Sequence, residues 1–161
     1  MDNIVLASTY RLTATNFRMS AEILLHDFEK RGEALPKNMR AIPFYYLISH
    51  AIELLLKCAL LKRGQAADDL KKYQIRHSLS ALLQKLSELG VPMSDNAINV
   101  IGVLSQQHEK HNLRYTALLD DGEVTFTPEP SVFLDVLDEL LLAGKVTKAA
   151  ESARIPRVYR A

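Results

Sequence analysis

A chain of 161 residues with 48% hydrophobic and 24% charged side chains is long enough for one domain with its own core, and its makeup excludes a disordered or fibrous protein. The net charge of +1 leaves no global basic field to draw in nucleic acid, and a single cysteine excludes a disulfide framework. Asp2, with no basic segment ahead of an apolar run, reads as the start of a chain without a signal peptide, so a reducing cytoplasm is the expected compartment.

The first helix is expected over residues 9–31, where Tyr10, Ala14, Phe17, Ala21, Leu24, Leu25 and Phe28 recur at helical spacing. Ser8 or Thr9 can cap its start and Gly32 can end it. Residues 32–42, with Pro36, form a connection long enough for the next helix to run antiparallel.

That next helix, PFYYLISHAIELLLKCALLKRG from Pro43 to Gly64, is apolar nearly all round. Pro43 suits a first helical position, and Lys62, Arg63 and Gly64 suit a C-terminal stop. A helix of this kind is buried by its neighbours, so it is expected at the centre of an all-α domain. His50, Glu53 and Lys57 share one face of it and form a narrow polar stripe that must find partners. They also interrupt the apolar run, which is barely long enough for a bilayer, so no membrane span is expected. Cys58, inside the same helix, reads as a small buried hydrophobe.

Residues 65–77 are polar and read as a surface loop. A third helix is expected over 78–89, capped by Ser78, with Leu79, Leu82, Leu83, Leu86 and Leu89 inward and Gly90 and Pro92 as its stop. A fourth runs from Ser94 or Asp95 to about Arg114. Its inward stripe of Ala97, Ile101, Leu104, His108, His111 and Tyr115 begins aliphatic and ends in histidines. Residues 116–127 read as a small β-hairpin turning at Asp121-Gly122, closed by Pro128 and Pro130. Ser131 then caps a fifth helix with Phe133, Val136, Leu137, Leu140 and Leu141 inward, ended by Gly144. The expected fold is an all-α, up-and-down bundle of four to five helices over residues 9–143, with the hairpin inserted near 116–127 and a basic tail over 144–161.

Three segments carry a family resemblance: HAIELLLKCALL (His50 to Leu61), RHSLSALL (Arg76 to Leu83) and LRYT (Leu113 to Thr116), followed by a short extended excursion and a last helix. In that order they resemble the HEPN superfamily (higher eukaryotes and prokaryotes nucleotide-binding). The resemblance implies a helical bundle, often a homodimer. Many members are metal-independent ribonucleases, toxins of toxin–antitoxin pairs or parts of defence systems, and others are non-catalytic RNA-binding, nucleotide-binding or interaction modules. The ribonucleases carry an arginine followed about four to six residues later by a histidine in the same helix. Here Arg18 precedes His26 by seven intervening residues, Arg40 precedes His50 by nine, and Arg63 precedes His77 by thirteen. In the fourth helix the order is reversed, since His108 and His111 precede Arg114. The missing motif selects the non-catalytic branch.

If the chain is an enzyme, His108, His111 and Arg114 are the candidate catalytic groups. Two imidazoles and a guanidinium are what metal-free RNA cleavage needs as base, acid and phosphate clamp. The simpler reading, preferred here, is a solvated or dimer-facing helix end. Tyr115, Arg76 and His77 are candidate binding residues, with His77 also a helix-entry residue that packs back on the second helix. His50, Glu53 and Lys57 are expected to form a structural polar network, with Glu53 or Lys57 linked to the end of the fourth helix, because an unpaired buried charge is costly. No cofactor is expected. No metal is expected either: His108 and His111 stand at i,i+3 beside Glu109, but no third ligand is evident from the spacing. The expected partners are a second copy of the chain and either a protein or RNA.

Overall fold

The computed structural model of this chain describes residues 2–32, 42–72, 74–109 and 129–145. Five α-helices occupy them: α1 (Asn3–Lys30), α2 (Ile42–Lys62), α3 (Leu79–Glu88), α4 (Asp95–Glu109) and α5 (Pro130–Ala143). A short 3-10 turn, Asp69–Lys71, lies between α2 and α3. Among the described residues there is no strand, and the class is all-α. The expected hairpin at 116–127 and the basic tail past Lys145 fall outside the described residues.

The helix ends follow local chemistry. α1 begins six residues before the expected Thr9 because Asp2 caps it, its carboxylate accepting the Ile4 N–H at 3.0 Å. The Ser8 and Thr9 hydroxyls instead donate to the carbonyls of Ile4 and Val5, one turn back inside the helix. Ser78 caps α3 by accepting the Ala81 N–H at 3.2 Å, as its spacing implied. Ser94 does the same for α4 through Ala97, and its own N–H and hydroxyl donate to Glu139 of α5 at 2.6 and 2.7 Å. At α5 the expected cap is displaced: Glu129 is the N-cap and Ser131 lies within the helix. Pro130 takes a first position, where its fixed φ and missing N–H carry no penalty. Gly64, at φ 88°, turns the chain out of α2 in a conformation that side chains with a Cβ rarely adopt.

α2 packs against each of the other four helices. Phe44, Ile48, Ile52, Leu56 and Leu60 are fully enclosed along it. It is long and apolar enough to cross a membrane by length and composition, yet 78% of that window is buried inside the bundle, which is the environment of a core helix. α1 runs antiparallel to it, since the Asn3 amide at the start of α1 donates to the Gln65 carbonyl just past the end of α2. Between these two helices the buried line of α1 is Ala7, Ala14, Ala21 and Phe28, one residue every seven. Alanine lets the backbones approach closely, and the seven-residue repeat keeps the line facing α2 along its length. Arg63 at the end of α2 donates to the Ala143 carbonyl at 2.8 Å, so α2 and α5 finish together.

The connection from α2 to α3 is polar, but Leu70 and Ile75 are buried in it. They anchor it to the bundle, and α3 therefore sets out beside the middle of α2. Cys58 is 1% exposed, and burial pushes its thiol above the ordinary value, as suits an inert packing residue.

Candidate functional site

Among the described residues, the buried polar side chains are few: Ser49, Glu53, Lys57, Ser105 and His108. Three of them meet at one point. Glu53 and Lys57 come from adjacent turns of α2, and the Lys57 ammonium donates to Glu53 Oε1 at 2.5 Å. His108, near the end of α4, reaches the other oxygen: its Nε2 lies 2.7 Å from Glu53 Oε2. Because Glu53 accepts there, Nε2 carries the proton. Lys57 also donates to the Arg76 carbonyl at 2.6 Å, which ties the entry of α3 to the same charge. His77, the next residue, places Nδ1 3.3 Å from Glu53 Oε1.

His50, one turn before Glu53, completes the cluster. Its Nδ1 is 3.9 Å from Glu53 Oε2. Its ring stacks on Phe17 of α1 at 5.7 Å, and the Tyr46 ring meets it edge-on at 4.4 Å. The His50 and His108 rings stand 5.0 Å apart at 83°. Three of the chain's five histidines thus converge on one buried carboxylate. No buried side-chain nitrogen or oxygen among the described residues lacks a hydrogen-bond partner.

The electrostatics follow from this packing. Burial pushes the Glu53 carboxyl up. The hydrogen bond from His108 and the charge and hydrogen bond of Lys57 outweigh that and hold it at about 2, against an ordinary value of 4.5. A carboxyl lowered on folding contributes stability that is complete above its unfolded value and is lost as pH falls through its folded value. The window here is therefore about pH 4.5 down to about 2. At about 1.4 kcal/mol per pKa unit, the contribution is on the order of 3 kcal/mol. Urea denaturation of wild type and Glu53→Gln at a series of pH values is expected to show the two stability curves converging across that window. Parallel curves would remove Glu53 as the source.

A second feature lies on the outward face of α1. Among the described residues, five of the nine large exposed hydrophobics are on α1: Ile4, Val5, Leu12, Met19 and Ile23. Val5, Leu12 and Met19 are seven residues apart, and Ile23 follows Met19 by one turn, so they form a seam opposite the alanine line. α1 is therefore apolar on two opposite faces, and among the described residues only one of them is covered.

Comparison of the chain with protein-family models, with curated proteins and with solved structures returns no match.

The sequence-derived candidates divide. His50, Glu53, Lys57, His77, His108 and the Arg76 carbonyl come together beside the middle of α2. His111, Arg114 and Tyr115 lie outside the described residues. The face shared by His50, Glu53 and Lys57 was readable from i,i+3 and i,i+4 spacing alone. A link from this face to the end of the fourth helix and the packing of His77 on the second are expected from the sequence; that His108 is the group that closes on Glu53, and that His77 reaches the same carboxylate, was not readable, because they are 55 and 24 residues from Glu53 in the chain. The outward seam of α1 escaped a reading that started the helix at Thr9 and followed its inward stripe. The seven-residue spacing of Val5, Leu12 and Met19 was the available signal.

Proposed function

We propose that this chain is a HEPN-like helical module that works by association, as a homodimer that binds a protein partner or RNA, and not by catalysis. The observation that carries this reading is the uncovered apolar seam of α1. Val5, Leu12, Met19 and Ile23 are 54, 65, 55 and 69% exposed, and Ile4, at 71%, lies to one side of the seam's start. A monomer gains nothing from a second apolar face on a helix whose first is already packed.

The occupant that fits is a second copy of α1. A straight helix of 28 residues, roughly 40 Å long, can pair with its own copy about a two-fold axis along its whole length. The four seam side chains offer on the order of 400 Å² per copy, about half of the roughly 800 Å² that each partner gives to a standard interface. The residues between them are small. Ser8, Thr9 and Ser20 already donate their hydroxyl protons to carbonyls four residues back, so covering them leaves no donor unpaired.

The Glu53 cluster supports the non-catalytic branch. His108 is 6% exposed and engaged by Glu53, which leaves it poorly placed to trade protons with a substrate. The ribonuclease reading, with His108, His111 and Arg114 as its groups, therefore stands second.

Sedimentation or light scattering on wild type and on the double variant Leu12→Glu, Met19→Glu tests the association. A dimer at micromolar concentration is expected for wild type. The variant should be a monomer with unchanged helical circular dichroism, because both side chains point away from the core. A wild type that stays monomeric at high micromolar concentration overturns the reading. So does a variant that remains dimeric.

A further inference from the structure

We propose that His50, Glu53 and His108 form a binding site for a divalent transition-metal ion, with His77 as a fourth donor at its open side. The site goes beyond the association reading and does not depend on the α1 seam.

Neutralisation alone does not account for the cluster. A buried carboxylate needs one cation, and Glu53 has Lys57 on Oε1. Three imidazoles around it are more than charge balance requires. A metal ion, by contrast, needs such a set. The donor atoms of His50, Glu53 and His108 all lie within 4.8 Å of one another and come from two helices that pack directly. Lys57 holds Oε1, which leaves Oε2 as a single-oxygen ligand facing both imidazoles, at 2.7 Å from His108 and 3.9 Å from His50.

In a tetrahedral site with metal–ligand bonds of about 2.0–2.1 Å, donor atoms stand roughly 3.3 Å apart. The two measured separations bracket that figure. Small side-chain shifts, with the His108 ring proton moving from Nε2 to Nδ1 so that the Nε2 lone pair is free, would bring both imidazoles to that distance from Oε2. The rings are already steered. His50 is sandwiched by the Phe17 stack and the Tyr46 edge, and His108 lies edge-on to His50.

His77 supplies the way in. Its side chain is 42% exposed, against 14% for His50 and 5% for His108, and its Nδ1 is 3.5 Å from Oε2. An imidazole and carboxylate donor set suits Zn²⁺, Co²⁺ or Ni²⁺ and not Mg²⁺ or Ca²⁺, which take all-oxygen shells. The pair His108 and His111, weighed from sequence, lacked a third ligand. The fold finds the others one helix away, on α2.

The test uses the full-length chain without an affinity tag, stripped with chelator and titrated with Co²⁺. The expected result is saturable binding of a single ion, with the strong visible bands of a tetrahedral site and a rise in thermal midpoint. Zn²⁺ should displace the ion and Mg²⁺ should not. His50→Gln, which leaves the Glu53, Lys57 and His108 contacts in place, should weaken Co²⁺ by about tenfold or more, as should His108→Gln. His26→Gln, an exposed histidine on α1, should change nothing. No saturable Co²⁺ binding by the folded wild type overturns the proposal. Binding with weak octahedral bands that is equal in wild type, His50→Gln and His108→Gln identifies adventitious surface binding and also overturns it.

Discussion

Glu53→Ala is expected to be the most damaging single polar substitution in this protein, costing roughly 3–5 kcal/mol. The reason is what it leaves behind. Lys57, 8% exposed, would keep its charge with the Arg76 carbonyl as its remaining described partner, and His108 would lose its acceptor. An uncompensated buried charge is more costly than the absence of the pair. Two comparisons separate this mechanism from simple loss of packing. Glu53→Gln keeps the shape and an acceptor oxygen for one partner, so it should be milder than Glu53→Ala. The double variant Glu53→Met, Lys57→Met should be more stable than the sum of the single changes, because it removes both charges and refills the space. Urea denaturation of wild type, Glu53→Ala, Glu53→Gln, Glu53→Met, Lys57→Met and the double variant at neutral pH measures this. A Glu53→Ala protein within about 1 kcal/mol of wild type would show that water reaches the cluster and screens it.

Phe133→Ala is expected to cost a similar amount, about 3–5 kcal/mol, by a different route. Phe133 is fully buried near the start of α5. Its ring meets Phe44 at 6.3 Å and Tyr45 at 5.6 Å, both edge-on, while Phe44 and Tyr45 meet each other at 5.3 Å. Truncation removes a large apolar side chain from contact with α2 and leaves a cavity between two helices that cannot close, because the Arg63 bond to Ala143 pins their other ends. Phe133→Leu, which refills most of the volume, should recover much of the loss. In a domain of this size each kcal/mol moves the thermal midpoint by roughly 2–4 °C, so the alanine variant should melt on the order of 10 °C lower and the leucine variant only a few degrees lower. Equal losses for the two variants would place the cost in the ring–ring contacts and not in the cavity.

The α2 stretch illustrates how much of this protein is written locally. Its near-continuous apolar run, with Pro43 at one end and Gly64 at the other, identifies a core helix before any contact is known, and Ile48, Ile52, Leu56 and Leu60 are all fully enclosed. Ser78 and Gly90 bound α3 for equally local reasons, an accepting hydroxyl and a positive φ of 73°. α1 and α5 show where local reasoning misplaces an end. Several residues there could serve as a cap, and the choice fell to Asp2 over Ser8 and Thr9, and to Glu129 ahead of Pro130 over Ser131.

The sequence by itself determined the all-α class, the central place of α2, and the single face shared by His50, Glu53 and Lys57, because a helix imposes its period on neighbours three and four residues apart. Only the tertiary structure decided that His108, and not another group at the end of α4, closes on Glu53, and that the segment ahead of α3 folds back to bring His77 and the Arg76 carbonyl to the same charge. Those contacts join residues 19 to 55 positions apart. Nothing in the spacing of such residues encodes their meeting. It follows from the burial of Leu70 and Ile75 and from the packing of α4 against α2, which are properties of the assembled core.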